Sequence, residues 1–366
     1  VGHLGSTSLA ACSLSISIFS SFMVFGIGIA YGITPLVAQN NGAGNKEASA
    51  AIFKNGLLIN LLIGIVLAII ISSIAPILPL LKQDAEVVKQ AGPFLNILAV
   101  SIIPFMIFLA FKQFAEGLAF TKQAMMISIA ANVINVFLNY VLINGYWGFP
   151  KMGLNGAGIA NFIARSIMAI AMAIYVLKSK HFSIYMQLAK GIKISKEYCL
   201  RILQIGVPTG LQYIFEVSAF SGAAIIIGQI GAPELAAHQI AISLAAVSYM
   251  MASGLSAAAS VCVGNAFGRK DFADLRISGF SAYHLVVIFM TLTAILFTIF
   301  KFWLPTLYIS DPGVIEIAAS LLFIAALFQL SDGVQVIGLG VLRGLGDVRI
   351  PTIVTLIAYW VIGLPV

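Results

Sequence analysis

Apolar residues fill this chain in long runs broken by short polar punctuation. Ten runs stand out, at roughly 8–38, 50–80, 91–111, 124–144, 156–177, 202–228, 235–265, 279–303, 314–342 and 350–366. Each is long enough to cross a ~30 Å hydrocarbon core as a helix, so the pattern predicts ten membrane-spanning helices. The ~10-residue alternation expected of membrane β-strands is missing. A charged loop, LKQDAEVVK (81–89), separates the second and third runs. The longest polar segment, KSKHFSIYMQLAKGIKISKEY (178–198), separates the fifth and sixth and reads as a basic interfacial linker between halves.

The chain also repeats itself. VGHLGSTSLAA (1–11) matches IGQIGAPELAA (227–237) at an offset of 226, and Gly42 falls on Gly268 at the same offset. FAEGLAFTK (114–122) matches VLRGLGDVR (341–349) at an offset of 227. Each copy carries a span that the other lacks: 202–228 before the second copy and 156–177 after the first. The expected parent is therefore twelve spans, six per half, with one helix missing from each end of this sequence. An even number per half makes the repeats parallel, related by an axis along the membrane normal. The domains expected are an N-terminal lobe (1–177), a cytoplasmic basic linker (178–198) and a C-terminal lobe (199–366).

Charge sets the orientation. Fifteen lysines and arginines, from Lys46 to Arg349, lie on alternate loops, against Lys82, Lys89, Lys151 and Lys301 on the others. The positive-inside rule makes the first set cytoplasmic. Arg165 lies inside a span, where pairing with an acid or snorkelling is expected.

Composition agrees with a polytopic helical membrane protein. Hydrophobic residues make up 60% and charged residues 9%, against about 25% charged in soluble domains. Mean hydropathy is +1.04. The net charge of +7 is explained by the loops, so nucleic acid is not an expected partner. Cys12, Cys199 and Cys262 are scattered and read as packing residues. No cleavable signal is visible.

Two acids interrupt the oily runs. Glu216 lies in the middle of IGVPTGLQYIFEVSAFSGAAIIIG (205–228), and Asp332 in LLFIAALFQLSDGVQVIGLGVL. An acid at that depth costs about 2.5–3.5 kcal/mol on insertion scales and usually faces a polar cavity or ion path. A lone acid in a low-dielectric cleft holds its proton. Two near each other titrate as a pair, and one negative site can then serve a small cation and an organic one in turn. Tyr213, Phe220, Tyr249 and Phe328 lie on the same spans and can offer π faces to a cation. Asn135 and Asn139, four apart, share a helix face with Asn132. The blander alternatives are a structural inter-helix hydrogen bond for the acids and a polar seam for the asparagines.

Taken in order, VGHLG…LAA, AQNNGAGN, GLAFTK, NVINVFLN, MGLNGAGIAN, EVSAF, IGQIG…LAAHQIA and LRGLGDVRIP resemble the multidrug and toxic compound extrusion (MATE) transporters. The Glu216/Asp332 pair resembles the NorM branch. The resemblance covers essentially the whole chain. It implies an all-α protein of two six-helix lobes around a central cleft. It also implies secondary antiport, with cationic amphipathic compounds exported against inward Na⁺ or H⁺. Glu216 and Asp332 match the family's two carboxylates of the second lobe, where Na⁺ could bind, and Tyr249 the aromatic beside the cation. Gln239 and Asp311 match polar positions linked to substrate or ion contacts, and Asn135 and Asn139 a polar pair of the first lobe. A monomer in the bacterial inner membrane is expected, without cofactor and without enzymatic activity.

Other readings fare less well. A lipid-linked oligosaccharide flippase of the same superfamily should show a basic cleft, whereas the sequence places Arg165 against two acids. An intramembrane aspartyl protease needs facing aspartates, yet Asp347 of GLGD sits in a turn between Arg343 and Arg349. No GxxxxGK[ST] loop occurs to supply ATP as driving force.

Overall fold

A computed structural model describes residues 5–81 and 84–365. Val1–Leu4, which open the first repeat copy, lie outside the described residues, as do Lys82, Gln83 and Val366. Among the described residues there are only helices and connections. Their order is α1 (Ser6–Ala30), α2 (Ile33–Gly42), α3 (Lys46–Ile74) with a 3₁₀ extension (Ala75–Leu81), α4 (Ala85–Gly117), α5 (Lys122–Asn144), α6 (Gly153–Lys178), α7 (Ser183–Gly191) and α8 (Lys196–Gly228). Then follow α9 (Ala232–Gly268), α10 (Phe272–Ile299), α11 (Trp303–Thr306), α12 (Pro312–Leu345), α13 (Arg349–Leu356) and a π-helical turn (Ile357–Gly363). Nine helical stretches among the described residues are long and apolar enough to span a membrane; the tenth apolar run forms a shorter segment, Arg349–Gly363. Large aliphatic side chains stay exposed along the spans, among them Ile69, Val136, Ile225 and Leu327, as lipid-facing helix surfaces require.

The repeat is visible in the helix ends. Ser6–Gly42 and Ala232–Gly268 coincide at the offset of 226, as do the starts of α3 and α10. Both α3 and α10 open on an acceptor cap: the Asn45 side chain takes the Ala48 N–H at 3.0 Å, and the Asp271 side chain takes that of Asp274 at 3.0 Å. At the offset of 227, Asp84 caps α4 and Asp311 caps α12, each accepting the N–H two residues on at 2.8 Å. Such caps offset the orphan donors of a first turn.

One difference between the copies follows from a single residue. α9 runs unbroken through Ala257 and Ala258, while the first copy breaks at Tyr31–Gly32. Pro35 stands four residues after Tyr31, and its ring clashes with that carbonyl while supplying no N–H. Pro35 therefore opens α2 instead of loosening the middle of a helix. Pro93, Pro104 and Pro208, by contrast, are carried inside continuous helices. The basic linker also holds a helix that its composition hid, α7, of nine residues.

The chain divides into two compact units, one of the residues up to Asn41 and Asn45–Ile214, the other of 42–44 and the residues from Phe215 onward. The first packs α1, α3, α4 and α6 around Phe94, Phe114, Ile102 and Met106. Phe182, just before α7, is fully buried there, its ring 5.8 Å from that of Phe114. The Lys54 ammonium closes α7 by donating to the carbonyls of Ala189 and Ile192, at 3.0 and 2.6 Å. Lys112 and Glu116 lie 3.6 Å apart with side chains only 27% and 17% exposed. The end of α4 is packed there, since Gly117 abuts Val37. Glycines let α8 cross α1: Gly28 meets Gly210, and a Cβ at Gly206 would lie 2.5 Å from the Ile29 carbonyl oxygen.

The second unit is built on α9, α10 and α12. A Cβ at Gly340 would run into the Ser256 carbonyl, and one at Gly344 would sit 2.6 Å from the Ser260 carbonyl oxygen. Small residues on both helices thus bring the two backbones together. The first unit repeats this clamp, with Gly117 against the Thr34 carbonyl.

Candidate cation site

The clamp between α9 and α12 sets the level of the acidic site. Ser256 also donates to the Val336 carbonyl at 2.7 Å, fixing the register of two helices that run the same way. Tyr249 lies seven residues before Ser256, and Asp332 eight before Gly340. Both are about two turns, ~11 Å, from the clamp. Gly333, next to Asp332, gives way to Met290 of α10, whose Cγ would lie 2.6 Å from a Cβ there.

Glu216 comes from the second half of α8. The Tyr249 hydroxyl donates to its Oε2 at 3.3 Å, and Asp332 is close enough to interact with it electrostatically. All three side chains are half-buried. The structure therefore brings Glu216, Tyr249 and Asp332 together inside one unit. Phe328 lies one turn before Asp332 on α12 and is 38% exposed.

Three further residues complete this cluster. Gln335, three residues after Asp332 and so on its helix face, donates through Nε2 to the Tyr359 hydroxyl at 3.2 Å. Tyr359 in turn lies within electrostatic range of both Glu216 and Asp332. Trp360 donates from Nε1 to the carbonyl of Phe215, one residue before Glu216, at 3.2 Å. The sequence reading missed all three. The Gln335 spacing from Asp332 was a usable signal; nothing in the final apolar run distinguished Tyr359.

The remaining candidates lie elsewhere. Gln239 is exposed on α9, ten residues or ~15 Å along the helix from Tyr249. Asp311 caps α12, its Oδ1 accepting from Gly313 and Val314 at 2.8 and 3.4 Å. It stands 21 residues before Asp332, about 30 Å along the axis. Tyr213 belongs to the first unit, its ring 6.1 Å from that of Tyr31.

In the first unit the asparagines form a chain. Asn139 Nδ2 donates to Asn135 Oδ1 at 3.0 Å, and Asn135 Nδ2 donates to Asn161 Oδ1 of α6 at 3.3 Å. Arg165, one turn beyond Asn161, donates to Ser101 Oγ at 2.8 Å and has the rings of Phe19 and Phe105 at 4.8 and 5.0 Å. Its second contact is the Met23 sulfur at 3.5 Å. Among the described residues no carboxylate lies within ion-pair distance of it. At the repeat offsets, Met23 and Phe105 correspond to Tyr249 and Asp332. The same two positions surround an acid in one unit and a guanidinium in the other.

This architecture of repeated helices is that of the MATE transporter structures. The chain superposes on the crystal structure of a eukaryotic MATE transporter with a TM-score of 0.88 at 22% identity, covering 100% of this chain and 81% of that one. It superposes on an outward-facing multidrug resistance MATE family transporter with a TM-score of 0.90 at 18% identity, covering 99% and 80%. The MatE family model matches residues 1–141 and 208–366, and the chain belongs to that family. A multidrug resistance protein NorM of Photobacterium profundum is 32% identical over 365 residues, 100% of this chain and 80% of the relative. A probable multidrug resistance protein NorM of Rhizobium meliloti is 33% identical over 369 residues, 99% and 79%. The protein is an integral membrane protein.

Proposed function

We propose that the protein is a secondary active multidrug exporter, taking up Na⁺ or H⁺ and expelling cationic amphipathic compounds. The observation that carries this reading is the acidic pair on two membrane-spanning helices, Glu216 with its Tyr249 hydrogen bond and Asp332 beside it. The NorM names of its relatives support multidrug export. The carboxylates supply the coupling step. A proton or Na⁺ on the pair lowers its negative charge by one, and a cationic compound then loses counter-charge and leaves. Release of the small cation restores the charge for the next compound. The aromatic surface of Tyr249 and Phe328 suits an organic cation, each ring worth about 0.5–2 kcal/mol. The protein would work in a bacterial inner membrane as a monomer, with Na⁺ held at Glu216 and Asp332 where Na⁺ is the coupling ion. Gln239, Asp311, Asn135, Asn139 and Tyr213 are proposed only as polar or aromatic contacts along the route.

The test is ethidium efflux from vesicles under an imposed Na⁺ gradient and, separately, a pH gradient. One of the two should drive export. Glu216→Gln and Asp332→Asn should each abolish it while leaving the amount of protein in the membrane unchanged. Normal export by Glu216→Gln would sink the assignment.

A further inference from the structure

The last helical segment differs from its counterpart in a way the repeat does not require. Residues 357–363 form a π-helical turn, IAYWVIG, whereas the equivalent stretch 130–136 of α5 is ordinary α-helix. Single π turns inside helices are rare and occur often at functional sites. This one lies against the acidic pair. It presents Tyr359 to Gln335, at 3.2 Å, and Trp360 to the Phe215 carbonyl, also at 3.2 Å. The Tyr359 ring is also 6.0 Å from that of Phe220, one turn after Glu216 on α8.

We propose that Tyr359 is a positioning residue of the cation site, and that the π turn carrying it couples cation occupancy of Glu216 and Asp332 to the helical segment Arg349–Gly363. The inference rests on the acidic pair being the ion site. Gln335 donates to the Tyr359 oxygen, which leaves the phenol O–H to donate elsewhere. The titratable groups facing it are Glu216 of α8 and Asp332 of α12, and Tyr249 of α9 already serves Glu216. When the carboxylates are free and charged, the Tyr359 O–H is drawn to them. When a cation sits on them that attraction falls, and the hydroxyl oxygen turns its remaining lone pair to the bound ion, a contact that outweighs the one the O–H gives up. Trp360 is fixed to the backbone next to Glu216, so a shift of α8 at the acid moves the indole with it.

The experiment uses Trp360 as its own reporter. The sequence has three tryptophans; Trp147→Phe and Trp303→Phe, neither among the residues of the site, leave Trp360 as its one indole. In proteoliposomes, titration with the coupling ion should shift Trp360 emission, and Glu216→Gln should remove the shift. Tyr359→Phe should raise the half-saturating ion concentration about tenfold, the size expected for removing one polar contact to a charged group, here the hydroxyl oxygen's contact to the bound ion. It should do so by a larger factor than it lowers the maximal efflux rate. Gln335→Ala keeps the ring and should give a smaller increase, which guards against misfolding of the first variant; thermal melting checks both. Unchanged half-saturation in Tyr359→Phe, with Glu216→Gln inactive, overturns the role of Tyr359. A silent Trp360 in a protein whose export needs Glu216 overturns the coupling. Normal export by Glu216→Gln instead brings down the ion-site reading beneath both.

Discussion

Arg165 shows how a membrane helix keeps a charge that has no carboxylate within ion-pair distance among the described residues. Its guanidinium spreads the charge over a planar fork, and here two ring faces, one hydroxyl and one sulfur take it up. Summed at about 0.5–2 kcal/mol per ring and about 1 kcal/mol for the hydrogen bond, the contacts are worth roughly 3 kcal/mol. Arg165→Ala should therefore lower the melting temperature in detergent by several degrees, and Ser101→Ala by less. An unchanged melting curve in Arg165→Ala would show that the rings contribute nothing. The sequence marked this residue as unusual, but the ring cage comes from α1 and α4. No local pattern joins Phe19 and Phe105 to a position sixty or more residues away. Asp311 teaches the converse. Similarity to a polar family position drew attention to it, while its geometry, shared with Asp84 at the repeat offset, is that of a helix cap.

Helices in this protein meet through backbone, and glycine decides where. Gly344 has the Ser260 carbonyl where a side chain would go, whereas nothing lies within 4 Å of a Cβ at Gly254. Gly344→Leu should separate α9 from α12, pulling Tyr249 and Asp332 out of level. The expected result is loss of folded protein in size-exclusion chromatography. Gly254→Ala, on the open face of α9, should be tolerated, and by helix propensity it should gain up to about 1 kcal/mol. Equal behaviour of the two variants would rule out the clamp as the element that sets the site. GLNGAGIAN (153–161) and GLGVLRGLG (338–346) are runs rich in small residues, which permit close helix approach. Which helix each approached was legible only after folding, since composition names no partner. The π turn was invisible for a similar reason. It is a hydrogen-bonding pattern selected by what surrounds it, and IAYWVIG reads as plain apolar helix.

For the molecule as a whole, loop charge predicts the orientation. The linker 178–198 carries exposed Lys178, Lys180, Lys190, Lys193 and Lys196, so it should face the cytoplasm. With the three native cysteines replaced, a Ser183→Cys reporter in right-side-out vesicles should resist an impermeant thiol reagent until the membrane is opened. A cysteine in the loop near Lys151 should react at once. The reverse pattern would invert the topology.

Hydrophobic run length, loop charge and the offset repeat settled, from sequence alone, that this is a polytopic helical membrane protein of duplicated halves. They also singled out Glu216 and Asp332, because burying charge in hydrocarbon is too costly to be incidental. Those are one-dimensional quantities, summed along the chain. The partners of each acid were decided in three dimensions. Tyr249, Tyr359 and Trp360 reach the site from segments far from Glu216 in sequence, and the level of α9 against α12 is set by glycine contacts whose register no local preference encodes.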